Sequence, residues 1–573
     1  MSLRLPPLVV LKFGSSVLPS PAHLGVAVEE IYRARRAGEG VVAVVSAFGE
    51  TTDALTHELG PDPDAVCARA ASTLLGTGEG RAAALLALEL SRRGLPARLL
   101  DAGEIGLRAE GDRRTADPCA VDPEVLRAVI ARGEIAVVPG FVARHVEGGP
   151  CLLGRGGSDL TAIVLAEALG ARCRLLKDTD GLYDRDPRRP GPPPRRFATL
   201  TFADAARLDA QVLQPRARRR AERSGLVFEV ARPGSPRRTR VGAAETGLDA
   251  ASPTARPLRL ALAGLGTVGG ALARRLAGDP RFEIVAAAVR DPARARPPEL
   301  AALRPVSDLG DLVAAAPDVV VELVGGTGDA ARLVARSLEE GIAVVTANKA
   351  LLAAEGPALA DLARRSGTAL LGAAAVGGAV PVLETLAALP RARRAEVVEI
   401  AGVLNGTTSD LLERGEAGAD LATALDAARA AGLCEADPSR DLSGLDALEK
   451  LRLAVRALDP DAPLTGAARR GLGAADLERA RRARDAGERL RLVARARRER
   501  GGFRLRVSPE RLAADAHLAG GRGPENRVAI RFADGGELLL AGAGAGALPT
   551  AEAVLADLLD LWRATAHRAE GVA

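Results

Sequence analysis

Short apolar runs alternate with longer amphipathic stretches along most of the chain. In the first half, the runs at 40–48 and 134–141 have the length and valine content of buried strands, whereas 81–94 and 161–171 repeat their apolar residues at helical spacing. The second half opens in the same way, with apolar runs that begin near 258, 283, 318 and 342. This alternation predicts an α/β chain with mostly parallel sheets that carry helices on both faces.

The pattern changes at three places. Residues 241–257 are small, polar and proline-tipped, which predicts a linker between the two α/β halves. After about Gly372 the alternation gives way to longer and more mixed segments, which predicts a separate substrate or dimerisation domain. Residues 460–500 are rich in arginine, and we expect a solvated helical face there. A length of 573 residues fits two to four domains.

Composition narrows the class of protein. The net charge is +5, yet arginine alternates with acidic residues and no basic block is interleaved with aromatic side chains, so a nucleic-acid partner has little support. No apolar run has the length of a membrane-spanning helix, and the amino terminus lacks the pattern of a secretion signal. The five cysteines are scattered, without a metal-ligand spacing. We expect a cytoplasmic protein with neither a membrane nor a nucleic-acid partner.

Lysine is scarce in this chain. Among the 78 lysines and arginines only four are lysines, namely Lys12 in LKFGSS, Lys177 in LLKDTDG, Lys349 in TANKA and Lys450 in DALEK. A lysine amine can be tuned to titrate and can contact a phosphate as a point charge, whereas a guanidinium stays protonated. The pattern predicts that the lysines are kept for chemistry and that arginine supplies the remaining positive charge.

A glycine-rich turn follows the first strand of the second half. Gly264, Gly266 and Gly269 form a GxGxxG that encloses Thr267 and Val268, and an alanine-rich helix follows. In this context the glycines allow a tight turn and the helix amino terminus attracts a pyrophosphate. The sequence therefore predicts a dinucleotide site.

The end of the second strand is expected to select the form of the dinucleotide. Arg290 stands there with Arg294 and Arg296 close behind, which favours NADP because a cation suits the 2′-phosphate. Asp291 leaves NAD open, and an interpretation of the arginines as ordinary surface charges is equally consistent with the sequence.

Polar residues also follow the strand that begins near 342. Thr346, Asn348 and Lys349 stand at its carboxyl end, where ligands bind in sheets of this kind. This position places Lys349 near the reactive ring of a bound nicotinamide. The chain has only three asparagines, and Asn405 in LNGTTS is another of them.

A cluster of charges near residue 440 suits carbonyl reduction. Asp446 and Lys450 are four residues apart, so they share one face of a predicted helix. A lysine beside a carboxylate is suited to deliver a proton to a carbonyl oxygen. Glu435 and Asp441 in the preceding loop add two carboxylates that suit a substrate amino group.

Residues 258 to about 563 resemble homoserine dehydrogenase. The motifs that carry the resemblance are GLGTVGG, VVVELVGG, VVTANKALL, VLNGTTS, EADPSRDLSGLDALEK and GAGAGALPTAEAVLADL. The resemblance implies reduction of aspartate semialdehyde to homoserine by NAD(P)H. It implies Lys349, Asp446 and Lys450 as catalytic residues, with Glu435 and Asp441 holding the amino group.

The same resemblance implies further contacts. We expect the substrate to contact Asn405, Gly406 and Thr407. We expect the cofactor to contact the residues from Gly264 to Gly269, Arg290, Thr346, Asn348, Lys349, Gly542 and Gly546. One departure concerns a structural monovalent cation, because Ala373 stands where the family has a glutamate that helps to hold it. The metal content is therefore left open.

Several motifs in the first half suit a phosphate site. Lys12 follows the first strand and precedes Gly14 and Ser15, and residues 154–159 (GRGGSD) form a glycine-rich loop before a predicted helix. Backbone amides in such a loop suit an anion. The order of a Walker A loop is absent, and each motif alone is consistent with an ordinary turn.

In chain order these motifs resemble the catalytic domain of aspartate kinase, which has the amino-acid kinase fold. The resemblance implies transfer of the γ-phosphoryl group of ATP to the β-carboxylate of aspartate, with Mg²⁺. It implies Lys12 and Asp159 as catalytic residues. The implied ATP-binding residues are Lys12, Gly14, Ser15, Lys177, Asp178, Asp180 and Tyr183. The implied aspartate-binding residues are Ser46, Thr52, Glu79, Arg155 and Ser158.

The first half departs from this family at three points. The loop that starts at Lys12 is one residue short, and Gln211 replaces a lysine that contacts the ATP phosphate in the family. Both changes predict a weakened kinase. The linker is too short to hold the paired regulatory ACT domains of aspartate kinases, so we expect no feedback by threonine or lysine through such domains.

The two resemblances predict the order of the domains. We expect an amino-acid-kinase-type α/β sandwich at 1–242, a linker at 243–257, a Rossmann domain at 258–385 and an α+β catalytic and dimerisation domain at 386–540. The segment 541–573 is expected to return to the Rossmann domain.

A bifunctional enzyme of amino-acid biosynthesis is the favoured interpretation, with NADP or NAD for one half and ATP and Mg²⁺ for the other. We expect a homodimer or homotetramer. One alternative is a homoserine dehydrogenase whose kinase half is silent, and another is a sensor of amino acids without catalysis.

Overall fold

The computed structural model describes residues 6–60, 67–186, 194–208, 213–249, 256–434 and 437–570. These residues divide into two compact units, one mostly before residue 250 and the other mostly after residue 255. Within the described ranges no helix combines the length and the apolar character that a membrane span requires.

The strands of the amino-terminal unit form two sheets. In chain order they are β1 (Leu8–Phe13), β2 (Gly40–Val45), β3 (Ala97–Leu99), β4 (Arg108–Glu110), β5 (Asp117–Ala120), β6 (Ile135–Pro139), β7 (Val142–His145), β8 (Pro150–Leu152), β9 (Arg172–Leu176), β10 (Phe197–Leu200), β11 (Phe228–Ala231), β12 (Arg238–Val241) and β13 (Gly247–Leu248). The main sheet has the order β13-β10-β12-β11-β9-β1-β2-β6-β3, and the smaller sheet has the order β5-β4-β7-β8. The central strands β11, β9, β1, β2 and β6 run parallel to one another.

Helices connect these strands. They are α1 (Leu24–Arg36), α2 (Thr51–Glu58), α3 (Ala68–Arg92), α4 (Pro123–Ile130), α5 (Gly157–Leu169), α6 (Phe202–Ala205) and α7 (Pro215–Ser224). Helix α5 is buried along most of its length, and Ile163 and Leu165 join Val10, Val42 and Val138 in the main apolar core. Its first turn therefore lies over the sheet, close to the carboxyl ends of β1 and β9.

The carboxy-terminal unit begins with a parallel sheet. Its strands are β14 (Leu258–Ala263), β15 (Phe282–Ala288), β16 (Val319–Glu322), β17 (Ala343–Thr346) and β18 (Leu370–Leu371), in the order β15-β14-β16-β17-β18. Its helices are α8 (Thr267–Leu276), α9 (Pro298–Ala301), α10 (Gly310–Ala314), α11 (Asp329–Glu339) and α12 (Lys349–Arg365). All four strand pairings are parallel, as the alternation of apolar runs predicts.

A mixed sheet follows. Its strands are β19 (Val397–Val403), β20 (Leu464–Arg469), β21 (Glu488–Glu499), β22 (Gly502–Ala513), β23 (Glu525–Phe532) and β24 (Glu537–Ala543), in the order β20-β22-β21-β19-β23-β24. Its helices are α13 (Val382–Ala388), α14 (Arg391–Ala395), α15 (Gly406–Glu416), α16 (Leu421–Ala430), α17 (Ser439–Leu442), α18 (Leu445–Leu458), α19 (Ala474–Asp485) and α20 (Ala547–Glu570). The α/β fold with a parallel nucleotide-type sheet and an α+β region is thus confirmed.

The expectation of a helical face at 460–500 is wrong over most of that range. Only α19 is helical there, whereas residues 488–499 form the long strand β21. In that strand Leu490, Leu492, Ala494 and Ala496 belong to one apolar core, and Arg491, Val493 and Arg495 stand between them. The arginines interrupt the apolar run, so the sequence shows no continuous apolar strand there.

The last helix packs on the parallel sheet. Val554, Leu555 and Leu558 of α20 share an apolar core with Leu260 and Val321 of β14 and β16. The chain therefore returns from the mixed sheet to the nucleotide-type sheet before it ends.

Candidate active sites

Three charged side chains meet at the carboxyl ends of two neighbouring strands of the amino-terminal unit. Lys12 lies in β1, Lys177 follows β9, and Asp159 stands in the first turn of α5. Lys12 Nζ is 2.7 Å from Asp159 Oδ1, and Lys177 Nζ is 2.8 Å from Asp159 Oδ2. One carboxylate thus lies between two ammonium groups, and the cluster has a formal excess of one positive charge.

The backbone explains why these groups converge. Strands β1 and β9 pair in parallel with Lys12 opposite Leu175, so both lysines emerge at the same edge of the sheet. Helix α5 begins beyond Gly156, whose φ of 76° is a left-handed conformation that glycine adopts without strain. A Cβ atom at Gly14 would lie 3.2 Å from Lys12 Nζ, so glycine leaves room for the ammonium group.

Burial and pairing set the charge of this cluster. Burial raises the pKa of Asp159, but the two ammonium groups together outweigh it and hold that pKa well below its usual range. Burial is also the largest influence on Lys12 and lowers the pKa of its amine, although Asp159 opposes the shift. The carboxylate therefore stays ionised at neutral pH.

A cavity of about 1500 Å³ opens above the cluster. It is lined by nearly all the residues that the sequence assigns to this half, which are Lys12, Gly14, Ser15, Ser46, Thr52, Glu79, Arg155, Ser158, Asp159, Lys177, Asp178 and Tyr183. Asp180 is the exception among the described residues, and it reaches the site through Tyr183, whose hydroxyl donates to Asp180 Oδ1 at 2.5 Å. Gln211 lies outside the described residues.

The cavity also has walls that the sequence did not reveal. Asp112, Arg114 and Thr115 line it from the connection between β4 and β5, and Arg207 lines it from the segment after α6. No local motif marks these residues. Asp112, Arg114 and Thr115 reach the cavity through the connection between two strands of the smaller sheet.

Glu79 has an unusual environment. It lies in α3, is 3% exposed, and accepts a hydrogen bond from the amide of Ala47 at 3.2 Å through Oε1. Its other oxygen, Oε2, is buried and has no hydrogen-bond partner among the residues that the structure describes. Burial raises the pKa of Glu79 to about 7, against the opposing effects of the Ala47 amide and Lys12. A substrate ammonium group could donate a hydrogen bond to this Oε2 atom and stabilise the ionised carboxylate.

A second cluster in the carboxy-terminal unit repeats the arrangement of the first. Lys349 opens α12, and Asp446 and Lys450 lie one turn apart on α18. Lys349 Nζ forms a short ion pair with Asp446 Oδ1, and Lys450 Nζ is 3.0 Å from Asp446 Oδ2. Again one carboxylate lies between two ammonium groups, so all four lysines of the chain belong to two lysine–aspartate–lysine clusters.

The neighbours of this cluster fix its orientation. Lys450 Nζ also donates to the carbonyl oxygen of Leu404 at 2.6 Å. Asn405 Nδ2 donates to Asp446 Oδ2 at 2.8 Å and to Asp441 Oδ1 at 2.7 Å. Thr407 donates to Asp441 Oδ2 at 3.1 Å, and Gly406 begins α15 between these two residues. The structure thus brings the predicted substrate residues together, except Glu435, which lies outside the described residues.

The ion pairs hold Asp446 in its charged form. Burial raises its pKa, but Lys450 and Lys349 together hold that pKa well below the usual range. The side chain of Lys349 is 25% exposed and that of Lys450 is 13% exposed. Lys349 is therefore the more accessible of the two ammonium groups.

Glu322 is a site residue that the sequence reasoning missed. It ends β16, is fully buried, and accepts from the hydroxyl of Thr346 at 2.6 Å and from the amides of Val324 and Gly325 at 2.9 Å. Through Thr346 it reaches Asn348, because Thr346 Oγ1 accepts the Asn348 amide at 2.9 Å. A glutamate inside the apolar run VVVEL was the available signal.

Asn348 ties the next strand to the same loop. Its Nδ2 donates to the carbonyl oxygen of Gly326 at 2.6 Å, and its Oδ1 caps α12 by accepting the Leu351 amide at 3.1 Å. The cap sets the first turn of α12 and thereby the direction of Lys349, the first residue of that helix.

The glycine-rich turn has the shape that a dinucleotide needs. Gly264 has a φ of 104°, and a Cβ at Gly269 would lie 2.0 Å from the Gly264 carbonyl oxygen. A Cβ at Gly266 would meet nothing within 4 Å, so this position faces open space. Helix α8 begins at Thr267, and Val268 packs on the apolar core. The amino terminus of α8 is therefore free to face a pyrophosphate.

The loop after β15 presents a cation. Arg290 is exposed and stands just past the strand end. Arg296 has a different role, because its guanidinium donates to the carbonyl oxygens of Asp291, Pro292 and Arg294 at 2.6 to 3.1 Å and so shapes the loop.

The remaining predicted residues lie farther along the chain. Gly542 belongs to β24, and Gly546 has a φ of 126° just before α20. The amide of Ala373 donates to Asp557 Oδ2 of α20 at 3.0 Å. The buried carboxylate of Asp557 therefore lies beside the position where the resemblance expects a glutamate and this chain has Ala373. Among the residues described, no three His, Cys, Asp or Glu side chains are grouped as a metal site.

Three family models match this chain. Residues 7–231 match the amino acid kinase family, residues 264–372 match the NAD binding domain of homoserine dehydrogenase, and residues 381–559 match homoserine dehydrogenase. The matches follow the two units of the structure in chain order.

Individual relatives divide in the same way. The chain is 37% identical over 332 residues to a homoserine dehydrogenase of Neisseria gonorrhoeae, covering 55% of this chain and 75% of that protein. It is 37% identical over 325 residues to one of Pseudomonas aeruginosa, covering 54% and 73%. An aspartokinase of Thermus thermophilus is 36% identical over 230 residues, covering 39% of this chain and 56% of that protein. The chain thus spans little more than half the length of that aspartokinase.

Proposed function

The chain belongs to the homoserine dehydrogenase family, and on that premise we propose that it catalyses two reactions. The carboxy-terminal unit would reduce aspartate semialdehyde to homoserine with a nicotinamide cofactor. The amino-terminal unit would phosphorylate aspartate with ATP. The observation that carries the proposal is the lysine–aspartate–lysine cluster in each unit, since each places two ammonium groups where a carbonyl oxygen or a phosphate would accumulate negative charge.

In the reduction, the nicotinamide cofactor supplies the hydride when it is bound at the turn from Gly264 to Gly269. Lys349, the more exposed ammonium group, donates a proton to the carbonyl oxygen as it becomes a hydroxyl group. Asp446 keeps both lysines oriented, and Lys450 is anchored by the Leu404 carbonyl oxygen. Asp441 is available to hold the substrate ammonium group.

We propose NADP as the preferred cofactor, and Arg290 as the residue that selects it. Replacing Arg290 by alanine is expected to lower kcat/KM for NADPH by roughly 10- to 100-fold, because a charge-assisted contact to the 2′-phosphate is lost. The kcat/KM for NADH should change less than about twofold, since NADH lacks that phosphate. Steady-state kinetics with both cofactors measures the effect.

Arg274→Ala is the matched control, because Arg274 lies on α8 with half of its side chain exposed and away from the strand end. Its cofactor preference should equal that of the unaltered chain. Equal losses with NADPH and NADH in Arg290→Ala would contradict the assignment.

In the phosphorylation, Lys12 would contact the transferring phosphoryl group, and Mg²⁺ would enter with the nucleotide, held by its phosphates and by one or two carboxylates of the cavity. Arg155 and Ser158 at the start of α5 are available for the aspartate carboxylates. Glu79 would hold the ammonium group of aspartate, because its Oε2 is buried without a partner among the described residues.

Glu79 makes aspartate binding depend on pH. Its pKa is raised to about 7, so the group is ionised above pH 7 and protonated below it. The protonated form cannot pair with an ammonium group. We expect kcat/KM for aspartate to fall about tenfold per pH unit below pH 7, while kcat/KM for ATP changes less.

Glu79→Gln tests this assignment, since it keeps the shape and removes the titration. The variant should have a low kcat/KM for aspartate that no longer falls between pH 7 and pH 6. A variant that keeps the same decline would show that another group titrates.

Three further features stay proposals. We propose the domain bounds 1–242, 258–385, 386–540 and 541–573. The described chain divides into two compact units, and β13 pairs with β10 inside the proposed linker 243–257, so the main sheet of the first unit reaches at least to Leu248. We propose a cytoplasmic location, supported by five scattered cysteines that include no CxxC pair. A homodimer or homotetramer rests on the family resemblance alone, and sedimentation of the purified chain would test it.

The dehydrogenase assignment has a direct test. The purified protein should reduce NADP when homoserine is added. In the reverse direction it should oxidise NADPH when aspartate semialdehyde is added. If a folded preparation catalyses neither reaction, the proposed dehydrogenase activity is wrong, although the chain still belongs to the family.

A further inference from the structure

We propose that Glu322 is a positioning residue of the dehydrogenase site. It holds the loop of residues 323–326, called the β16 loop, and the strand end that leads to Lys349 in one fixed arrangement. The inference rests on the proposed reduction of aspartate semialdehyde. It gives a role to a fully buried carboxylate that acts through its neighbours and not by contact with a reactant.

Glu322 stands in the middle of the strand ends of the parallel sheet. In the register of that sheet it lies beside Ala263 of β14 on one side and beside Thr346 of β17 on the other. Ala263 directly precedes the glycine-rich turn proposed for the pyrophosphate. Thr346 lies three residues before Lys349, the proposed proton donor. Glu322 therefore lies between the two parts of the site that must act together.

The carboxylate of Glu322 joins these two parts through a ring of hydrogen bonds. Its Oε1 accepts two amides of the β16 loop, each at 2.9 Å, and its Oε2 accepts the hydroxyl of Thr346 at 2.6 Å. Thr346 Oγ1 accepts the amide of Asn348 at 2.9 Å. Asn348 Nδ2 donates to the carbonyl oxygen of Gly326 at 2.6 Å, which returns to the β16 loop and closes the ring.

The burial of this ring argues for a functional role. Glu322 and Thr346 are both 0% exposed, and Asn348 is 6% exposed. Within the described ranges no lysine or arginine pairs with Glu322, so hydrogen-bond donors alone compensate the carboxylate for its lost water. An apolar side chain would continue the buried strand at a lower cost in free energy. The carboxylate therefore indicates that the geometry of the strand ends is what it serves.

The ring fixes two groups that the reaction needs at a set separation. A Cβ atom at Gly264 would lie 3.0 Å from the carbonyl oxygen of Leu323, so the β16 loop packs directly against the glycine-rich turn. On the other side, Asn348 caps α12, and Lys349 is the first residue of that helix. A shift of the loop against the helix would change the distance from a bound cofactor to the ammonium group. A misplacement of about 1 Å can lower a rate by roughly 100-fold.

Two substitutions of Thr346 distinguish positioning from packing. Thr346→Val keeps the branched shape but removes the hydroxyl, so kcat of aspartate semialdehyde reduction should fall roughly 10- to 100-fold. KM for the semialdehyde should change less than about threefold, because the substrate contacts are untouched. Thr346→Ser keeps the hydroxyl and should recover most of the kcat that Thr346→Val loses. A role in packing alone predicts the reverse order, because valine fills the buried position better than serine.

Glu322→Gln tests the other side of the ring without turnover. The glutamine keeps the shape but weakens the contact to the loop amides, because hydrogen bonds to an ionised acceptor are stronger than neutral ones. The Kd of NADPH should rise roughly tenfold. In Thr346→Val that Kd should change less than about threefold, because the loop amides keep their charged acceptor. Isothermal titration of the full chain with NADPH measures both values.

Ser337→Ala is the matched control for the loss of a buried hydrogen bond. Ser337 lies on α11, is 0% exposed, and donates to the carbonyl oxygen of Leu333 at 2.8 Å. It takes no part in the ring, so kcat and the Kd of NADPH should stay as in the unaltered chain. Thermal unfolding of all four variants shows whether each one is folded.

The outcomes separate this inference from the proposed activity. An unchanged Kd of NADPH in Glu322→Gln would overturn the role of Glu322, and so would a greater loss of kcat in Thr346→Ser than in Thr346→Val. If the unaltered chain binds NADPH but does not reduce the semialdehyde, the proposed activity is wrong, whereas the Kd of Glu322→Gln still decides whether Glu322 holds the β16 loop. A chain that binds no NADPH would overturn both.

Discussion

Replacing Lys349 by alanine is expected to lower kcat of aspartate semialdehyde reduction by about 1000-fold. The variant loses the proton donor, and general acid catalysis of this kind contributes roughly 10²- to 10⁴-fold. Asp446→Ala should have an effect of similar size, because both ammonium groups lose the carboxylate that orients them. Stopped-flow or steady-state oxidation of NADPH measures each rate.

The control for Lys349→Ala lies on the same helix. Arg365 is in the last turn of α12, is 60% exposed and pairs with Asp361, so Arg365→Ala should keep full turnover. KM for NADPH should change little in Lys349→Ala if the lysine acts mainly in the transition state. A Lys349→Ala variant with more than about a third of the original kcat would contradict its role as proton donor.

Replacing Lys12 by alanine is expected to lower kcat of the kinase by about 1000-fold or more. Lys12 contributes one of the two positive charges at the site of phosphoryl transfer, and removal of a single preorganised donor costs roughly 10²- to 10³-fold. Asp159 would also keep only one counterion, Lys177, which disturbs the position of the second lysine. Release of ADP in the presence of aspartate measures the loss.

Arg172→Ala is the matched control, because Arg172 lies on β9 beside β1 and its side chain is half-exposed and paired with Glu39. It should retain kinase activity. Thermal unfolding of Lys12→Ala should show an intact transition, so that lost activity reports on chemistry. Full activity in Lys12→Ala would remove the amino-terminal cluster from the mechanism.

Much of the fold could be predicted from the alternation of apolar runs. Strand β2 is buried at all six positions and reads as an unbroken apolar run in the sequence. The same rule failed at β21, because Arg489, Arg491, Arg495 and Arg497 stand between its core-facing residues and interrupt the apolar run. A strand is easily mistaken for a helix when charged side chains make up much of its sequence.

The candidate sites were only partly predictable for a different reason. Strand ends drew attention to Lys12, Lys177 and Lys349, since ligands bind there in parallel sheets. The partner of Lys349 is 97 residues away, and no local pattern specifies such a contact. The resemblance points to Glu79 as a binding residue, but its raised pKa gives no signal in the sequence, because that shift arises from burial that only the folded unit provides.

The two clusters explain why this chain keeps lysine at four positions. An ammonium group can approach a phosphate or carbonyl oxygen as a point charge, and its pKa shifts with burial, whereas a planar guanidinium does neither as readily.

The central claim is that both clusters catalyse reactions, and the kinase half tests it most directly. ADP release should be measured on the purified full chain with ATP and Mg²⁺, with and without aspartate, in a preparation whose homoserine oxidation is active. The account predicts ADP release that saturates with aspartate and disappears in Lys12→Ala. Active homoserine oxidation without any aspartate-dependent ADP release would contradict it and leave the amino-terminal unit as a silent module.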